Sequence, residues 1–401
     1  MKVALLSRSA HPLHAPGGLE RAVFELARHL TERGVETTLI TRPPTRDGVF
    51  PGRVLTVPYG PEAGHGRILD RTLRYPRFAH RVGEQAAELV RQGAAEVVDA
   101  QGLTALGYAQ RRRRDRSLKA PLLMNPQGME EHKARGLKRL ALFRLRALSR
   151  QAARLADRVV ATDQVTRREV PRLLGVDPRK VVVIPNGIAP DTVEQATPPE
   201  ADLVAARAVP ALAGADPVFL SVGRLEAYKG FLDVLGALAS LVQTRALPER
   251  WAWVVVGQGP AEAELRARLT PDLRNHVHPV GRVSEELLHA FYARSDIFVH
   301  ATHYEGSSLV TLEAMAHRLP VVATRAGGIP DKVVEGETGV LVEPGDVAAL
   351  ARGLAAMARE PETRRGFGER GRERCLRLFS WPQIIGQVLA LYHELLAEAA
   401  V

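Results

Sequence analysis

Thirteen short runs of aliphatic and β-branched residues, separated by longer helix-patterned stretches, leave few folds open to this chain. In the first half the runs are Val3–Leu6, Glu36–Thr41, Arg53–Val57, Glu96–Ala100, Pro121–Asn125, Arg158–Ala161 and Lys180–Ile184. Helical patterns lie between several of them, at Leu19–Arg33, Tyr75–Arg91, His132–Leu155 and Gln164–Leu174. Short strands alternating with helices of this length predict a parallel, doubly wound sheet. Across 186–216 the texture changes: Asn186-Gly187, Pro190, Pro198-Pro199 and the loose stretch Ala211–Asp216 break regularity. A second alternation follows at Val218–Val222, Trp253–Gly257, Val277–Val280, Ile297–His300, Pro320–Thr324 and Val340–Val342. Helical stretches at Val347–Ala358, Glu362–Leu378 and Trp381–Ala399 close the chain.

With 401 residues, two α/β domains are the natural division. The boundaries fall at 1–190 and 191–380, and no low-complexity linker separates them, so the domains are expected to face each other across a cleft. Composition is that of a soluble globular protein, 45% apolar and 25% charged. Met1-Lys2 runs directly into a strand and then Ser7-Arg8, unlike a signal peptide. No apolar run approaches the ~18 residues of a membrane span. The single cysteine, Cys375, excludes an intramolecular disulfide and a cysteine-cluster metal site. It fits a reducing, cytoplasmic setting.

Charge is unevenly spread. Residues 1–190 hold 34 Lys and Arg against 18 Asp and Glu, whereas residues 191–401 hold 21 against 27. A basic half suits an anionic membrane surface, a phosphorylated substrate or nucleic acid, or it reflects arginines on solvated helices. Nucleic acid is the least favoured, because aromatic residues are 5% of the chain and no stacking platform or zinc module is visible. The segment Lys133–Arg158 carries nine Lys and Arg and one acidic residue, Asp157. Its leucines follow helical spacing, which predicts an amphipathic basic helix able to lie on an anionic bilayer.

The segment most informative about chemistry is Glu305-Gly306-Ser307-Ser308-Leu309, continuing to Glu313-Ala314-Met315-Ala316. Read as one helix, a spacing of eight places Glu305 and Glu313 on one side, about 12 Å apart along the axis. Small residues at the helix entry expose backbone N–H groups that favour an anion. Such a site suits a ligand with a phosphate between two hydroxylated rings, as in a sugar nucleotide. Gly223-Arg224-Leu225, running to Lys229-Gly230, joins a strand to a helix and offers two cations for a diphosphate. Pro16-Gly17-Gly18 opens a helix after the first strand. Main-chain groups near Val283, in Gly281-Arg282-Val283-Ser284, suit a base edge, and a simple turn capped by Ser284 explains the same letters. No Gly-x-Gly-x-x-Gly follows any of the strands, which argues against a nicotinamide enzyme.

Taken in order, these motifs, with Ile184-Pro185-Asn186-Gly187-Ile188 and Gly327-Gly328-Ile329-Pro330, resemble the family 4 retaining glycosyltransferases, group 1 type. The likeness runs from about residue 2 to beyond 345 and is specific as a set. It implies the GT-B fold, with two Rossmann-like domains and the C-terminal helix 381–401 returning to the N-terminal domain. It also implies transfer of a hexose-type sugar from a UDP-, GDP- or ADP-sugar to a glycan, lipid-linked or small-molecule acceptor, in cell-envelope polysaccharide or glycolipid synthesis. No cofactor or catalytic metal is implied, and the chain contains no Asp-x-Asp.

By the same resemblance Arg224 and Lys229 hold the diphosphate. Glu305 and the amides of Gly306, Ser307, Ser308 and Leu309 meet the sugar and phosphate. Glu313 takes the ribose, and Gly17 and Gly18 close over the donor. Two positions depart from the family pattern. Gln127-Gly128 replaces the usual His-Gly beside the transferred sugar, where Gln donates a hydrogen bond but shuttles no proton. Ser307-Ser308 replaces a Phe-Gly-like pair. A sugar-nucleotide epimerase or hydrolase on the same scaffold is the enzymatic alternative.

Overall fold

Each of the thirteen apolar runs forms a strand, with ends shifted by at most a residue or two. The computed structural model describes residues 1–15, 17–60, 70–126, 129–133 and 136–400. It divides into two units, Met1–Asn186 with Trp381–Val401, and Gly187–Ser380.

The first unit is built on a seven-stranded sheet in the order β3-β2-β1-β4-β5-β6-β7. Its strands are β1 (Lys2–Leu6), β2 (Glu36–Thr41), β3 (Arg53–Thr56), β4 (Val97–Gln101), β5 (Leu122–Asn125), β6 (Arg158–Ala161) and β7 (Val181–Val183). The second unit has six strands in the order β10-β9-β8-β11-β12-β13. They are β8 (Val218–Val222), β9 (Ala252–Val256), β10 (Val277–Gly281), β11 (Ile297–His300), β12 (Val321–Thr324) and β13 (Gly339–Val342). All the pairings are parallel, for example Leu5 opposite Leu39 and Ile297 opposite Phe219. Every residue of β4, β8 and β9 is buried, as parallel strands covered on both faces require.

In both sheets the strand order reverses beside the first strand of the unit, between β1 and β4 and between β8 and β11. Loops leaving adjacent strands diverge there and open a crevice at the carboxyl edge. That topology selects the loops after β8 and β11 in one unit, and those after β1 and β4 in the other.

Helix Trp381–Ala400 belongs to the first unit. Its Tyr392 hydroxyl donates to Asp99 Oδ2 at 2.7 Å, and Arg158 of β6 reaches its Glu394 at 2.6 Å. Asp99 lies at the middle of β4 and is buried. Burial pushes its carboxyl up to about 6, although the hydrogen bonds from Tyr392 and Gln101 act the other way. Its place is to tie helix to sheet.

The basic stretch differs from the single helix expected. It forms Glu130–Lys133, Gly136–Ala141 and Phe143–Leu155, with Gly136 at φ 55° and Leu142 outside helical geometry. Leu137, Leu140 and Phe143 are therefore turned to solvent, 86%, 70% and 66% exposed, while Leu145 stays in the core. Several of the arginines are engaged in holding the fold together. Arg150 and Arg154 donate to the carbonyls of Leu173 and Gly175, and in the neighbouring cluster Arg111 pairs with Glu84 and Arg112 with Asp157. Helices Ala105–Arg114, Pro190–Ala196 and Ala201–Ala208 were not legible, being short and polar or interrupted.

Candidate functional site

The loop after β8 turns sharply at Gly230, in the left-handed region at φ 71°, to start helix Phe231–Gln243. A Cβ at Gly230 would lie 1.8 Å from the Ala301 carbonyl oxygen, so glycine here lets the loops after β8 and β11 touch. Thr302 reinforces the contact by donating to the Tyr228 carbonyl at 3.1 Å. The loop after β9 supports the other side: Leu225 N–H donates to Gln258 O at 3.0 Å and Ala261 N–H to Leu225 O at 2.8 Å.

This packing brings the predicted cation and carboxylate together. Lys229 Nζ donates to Glu305 Oε2 at 2.7 Å, both side chains being less than 15% exposed. His300, the last residue of β11, places Nε2 at 2.8 Å from the same oxygen. Burial by itself would raise the Glu305 carboxyl, but the hydrogen bond and charge of His300, with the Lys229 ammonium, hold it down to about 2. The result is a fixed carboxylate between two donors. Arg224 stands further out, 68% exposed, with Nη2 donating to the Tyr228 hydroxyl at 3.1 Å and Nη1 in an ion pair with Glu226 Oε1 at 3.6 Å.

Glu305 and Glu313 do not share a helix. Helix Leu309–Ala316 starts four residues after Glu305, which lies in the loop, so the two-turn spacing expected of one continuous helix does not hold. The polypeptide must bend there because the Glu305 carbonyl packs on Gly327: a Cβ at Gly327, itself at φ 52°, would meet that oxygen at 1.8 Å. Gly328 N–H donates to Gly306 O at 3.3 Å. Ser308 is the N-cap, and its hydroxyl is paired with Thr311 Oγ1 at 2.8 Å and not with the backbone. The Ser307 hydroxyl is buried and makes no hydrogen bond within the chain. Polar groups at this helix entry thus remain for a ligand, as an anion site requires.

Glu313 sits one turn into that helix, where Tyr292 donates to Oε2 at 2.9 Å. Tyr292 is wholly buried and stacks on His317 with ring centroids 5.2 Å apart. Val283 follows β10 and packs its side chain on the core, with Ser284 capping helix Glu285–Arg294 through Leu287 N–H at 3.2 Å. Gly17 and Gly18 stand in the first unit, Gly17 as the extended N-cap of helix Gly18–Glu32. Gln127 and Gly128 lie outside the described residues. His300 and Tyr292 were missed by sequence reasoning. Proximity to Glu305 was a usable signal for His300, but nothing in the order of residues joins Tyr292 to Glu313.

The model of Glycosyltransferase Family 4 matches residues 16–192, and that of Glycosyl transferases group 1 matches residues 205–374. A D-inositol 3-phosphate glycosyltransferase of Geodermatophilus obscurus is 31% identical over 431 residues, covering 100% of this chain and 90% of its own length. The chain belongs to the family 4, group 1 glycosyltransferases. Solved structures agree on the fold. Sucrose-phosphate synthase from Thermosynechococcus elongatus superimposes with a TM-score of 0.78 at 24% identity, over 99% of both chains. HepE from Anabaena, solved in complex with UDP, gives 0.72 at 20% identity over 98% of this chain and 100% of that one. The glycosyltransferase therefore has two Rossmann-like units of the GT-B type, and the Lys229–Glu305–His300 cluster lies where its second sheet reverses strand order.

Proposed function

We propose that this glycosyltransferase moves a hexose-type sugar from a UDP-, GDP- or ADP-sugar to an acceptor hydroxyl, with retention of configuration and without a catalytic metal. The observation that carries the reading is the meeting of Lys229 and His300 on Glu305 at the switch point, with Arg224 in the adjoining loop. The diphosphate lies against Arg224, Lys229 and the entry of helix Leu309–Ala316, with the donor sugar near Glu305 and the ribose on Glu313. As the anomeric carbon–oxygen bond to the diphosphate breaks, these groups take up the developing negative charge. The acceptor oxygen bonds to the anomeric carbon on the same face, and its proton passes to the departing diphosphate oxygen. Main-chain groups near Val283, after β10, border the base.

A thermal-shift panel of UDP, GDP, ADP and their glucose and mannose esters tests the donor assignment. One nucleotide series is expected to stabilise the protein by several degrees at 100-fold excess over its Kd, corresponding to about 2.7 kcal/mol. No stabilisation by any of them would remove the donor reading.

Among the described residues no helix is long and apolar enough to cross a membrane. The exposed trio Leu137, Leu140 and Phe143, set beside Arg139 and Arg144, supports a peripheral seat on an anionic, cytoplasmic membrane face. Each basic residue at such a surface contributes about 1 kcal/mol, screened by salt. Co-sedimentation with anionic vesicles should fall at high salt and in Leu140→Glu, and neutral vesicles should bind little. Equal, negligible binding to both lipids would leave a soluble acceptor.

A further inference from the structure

Behind Glu313, a buried ring from another helix fixes where the carboxylate points. Tyr292 belongs to helix Glu285–Arg294, is wholly buried, and donates its hydroxyl to Glu313 Oε2 at 2.9 Å. The same hydroxyl lies 3.4 Å from the Val310 carbonyl, a longer and weaker contact, so its one proton serves the carboxylate. Resting on the donor reading above, we infer that Tyr292 is a positioning residue for the donor ribose and makes the site select ribonucleotides over 2′-deoxyribonucleotides.

The ring has little freedom. It lies flat on His317, the planes 6° and the centroids 5.2 Å apart, and the Phe298 ring packs on it at 5.9 Å. His289 completes the cluster, with Nδ1 2.9 Å from His317 Nε2. Burial, helped by His289 and the guanidiniums of Arg372 and Arg318, pulls the His317 imidazole down to about 3, so the ring stacked on Tyr292 is neutral. Aromatic side chains packed at interior density stay in one rotamer. The phenol oxygen is thus a fixed point that reaches the half-buried Glu313 from the core side.

A neutral donor suits this task. At Glu305 the Lys229 ammonium compensates the carboxylate charge. A phenol hydroxyl instead orients a carboxylate and leaves its charge in place, so it remains a strong acceptor for hydroxyl groups. The two oxygens of a carboxylate offer about four lone-pair sites, enough for Tyr292 and for the adjacent 2′- and 3′-hydroxyls of a ribose. Losing one hydrogen bond to a charged group costs about ten- to a hundredfold in affinity, provided the acceptor is held where the hydroxyl needs it. Ser284 caps the same helix immediately after Val283, so the elements assigned to base and ribose are joined by one rigid segment.

Calorimetric titration of the intact chain with UDP, GDP and ADP, and with their 2′-deoxy counterparts, tests the assignment. The wild type should bind its preferred ribonucleotide about tenfold or more tightly than the deoxy form. Tyr292→Phe keeps the ring and its stack. It should bring that ratio to about threefold or less by weakening the ribonucleotide, while affinity for the deoxy form stays within about twofold. Glu313→Ala should abolish the preference. Phe291→Leu, a core change in the same helix that leaves the hydroxyl in place, should lower the melting temperature and keep the wild-type ratio. Because the ribose is remote from the bond that breaks, Tyr292→Phe should raise KM for the donor with kcat within about twofold of the wild type. A ratio unchanged in Tyr292→Phe, or lowered equally in Phe291→Leu, overturns the inference. So does a wild type that binds a nucleoside diphosphate without distinguishing its deoxy form. Failure of all these nucleotides to bind removes the donor reading itself, and the inference with it.

Discussion

Lys229→Ala is expected to lower kcat by about 10²–10³ and to weaken nucleoside diphosphate binding about tenfold. The side chain is fixed: its ammonium is 2.7 Å from a carboxylate that also takes His300, in a pocket less than 15% exposed. In the proposed reaction, cationic charge placed there beforehand costs no reorganisation when the leaving diphosphate develops its charge. Removing it also leaves Glu305 buried with His300 as its remaining side-chain donor. Lys229→Arg keeps the charge but cannot reproduce a compact ammonium in that space, so it should recover binding more than turnover. Steady-state kinetics with calorimetry on the same preparations gives both readouts. Unchanged values in Lys229→Ala, with the melting temperature retained, would remove this residue from the site.

Gly230→Val should destabilise the second unit by about 4 kcal/mol or more. Two penalties combine. The φ of 71° is strained for a β-branched residue, and the added Cβ would sit 1.8 Å from the Ala301 carbonyl, a backbone atom with little freedom to move. The loops after β8 and β11 would have to separate, carrying Lys229 away from Glu305, so nucleotide binding should fall along with stability. Gly306→Ala is the matched control, since a Cβ there meets nothing within 4 Å. Its stability should stay within about 0.5 kcal/mol of the wild type. Urea denaturation distinguishes the two. A Gly230→Val protein as stable as Gly306→Ala would show that the loops are not held by this contact.

The strands were legible because parallel sheets bury continuous apolar runs: Val218–Val222 and Ile297–His300 read from the sequence as they fold. Helices with one apolar face, such as Tyr75–Arg91, were equally plain. Where local pattern misled, a glycine or a tertiary contact had prevailed. Helical spacing of leucines across 137–155 did not anticipate the interruption at Gly136 and Leu142, and two of those leucines face water. The eight-residue interval between Glu305 and Glu313 was sound as a signal and wrong as geometry, because Gly327 draws the Glu305 backbone out of helical line. Arg224, Lys229 and Glu305 were found because glycine-bounded loops at strand ends announce themselves. His300 and Tyr292 act across the fold, 5 and 21 residues from the carboxylates that they hold.

Early-time proton NMR of the product formed in excess EDTA tests the proposed metal-free, retaining transfer at the Lys229–Glu305 site. With the nucleotide sugar selected by the thermal-shift panel, the first glycosyl product should carry the anomeric coupling of the donor, at a rate that EDTA does not change. A first product of inverted configuration, or no product until manganese or magnesium is restored, would contradict the account.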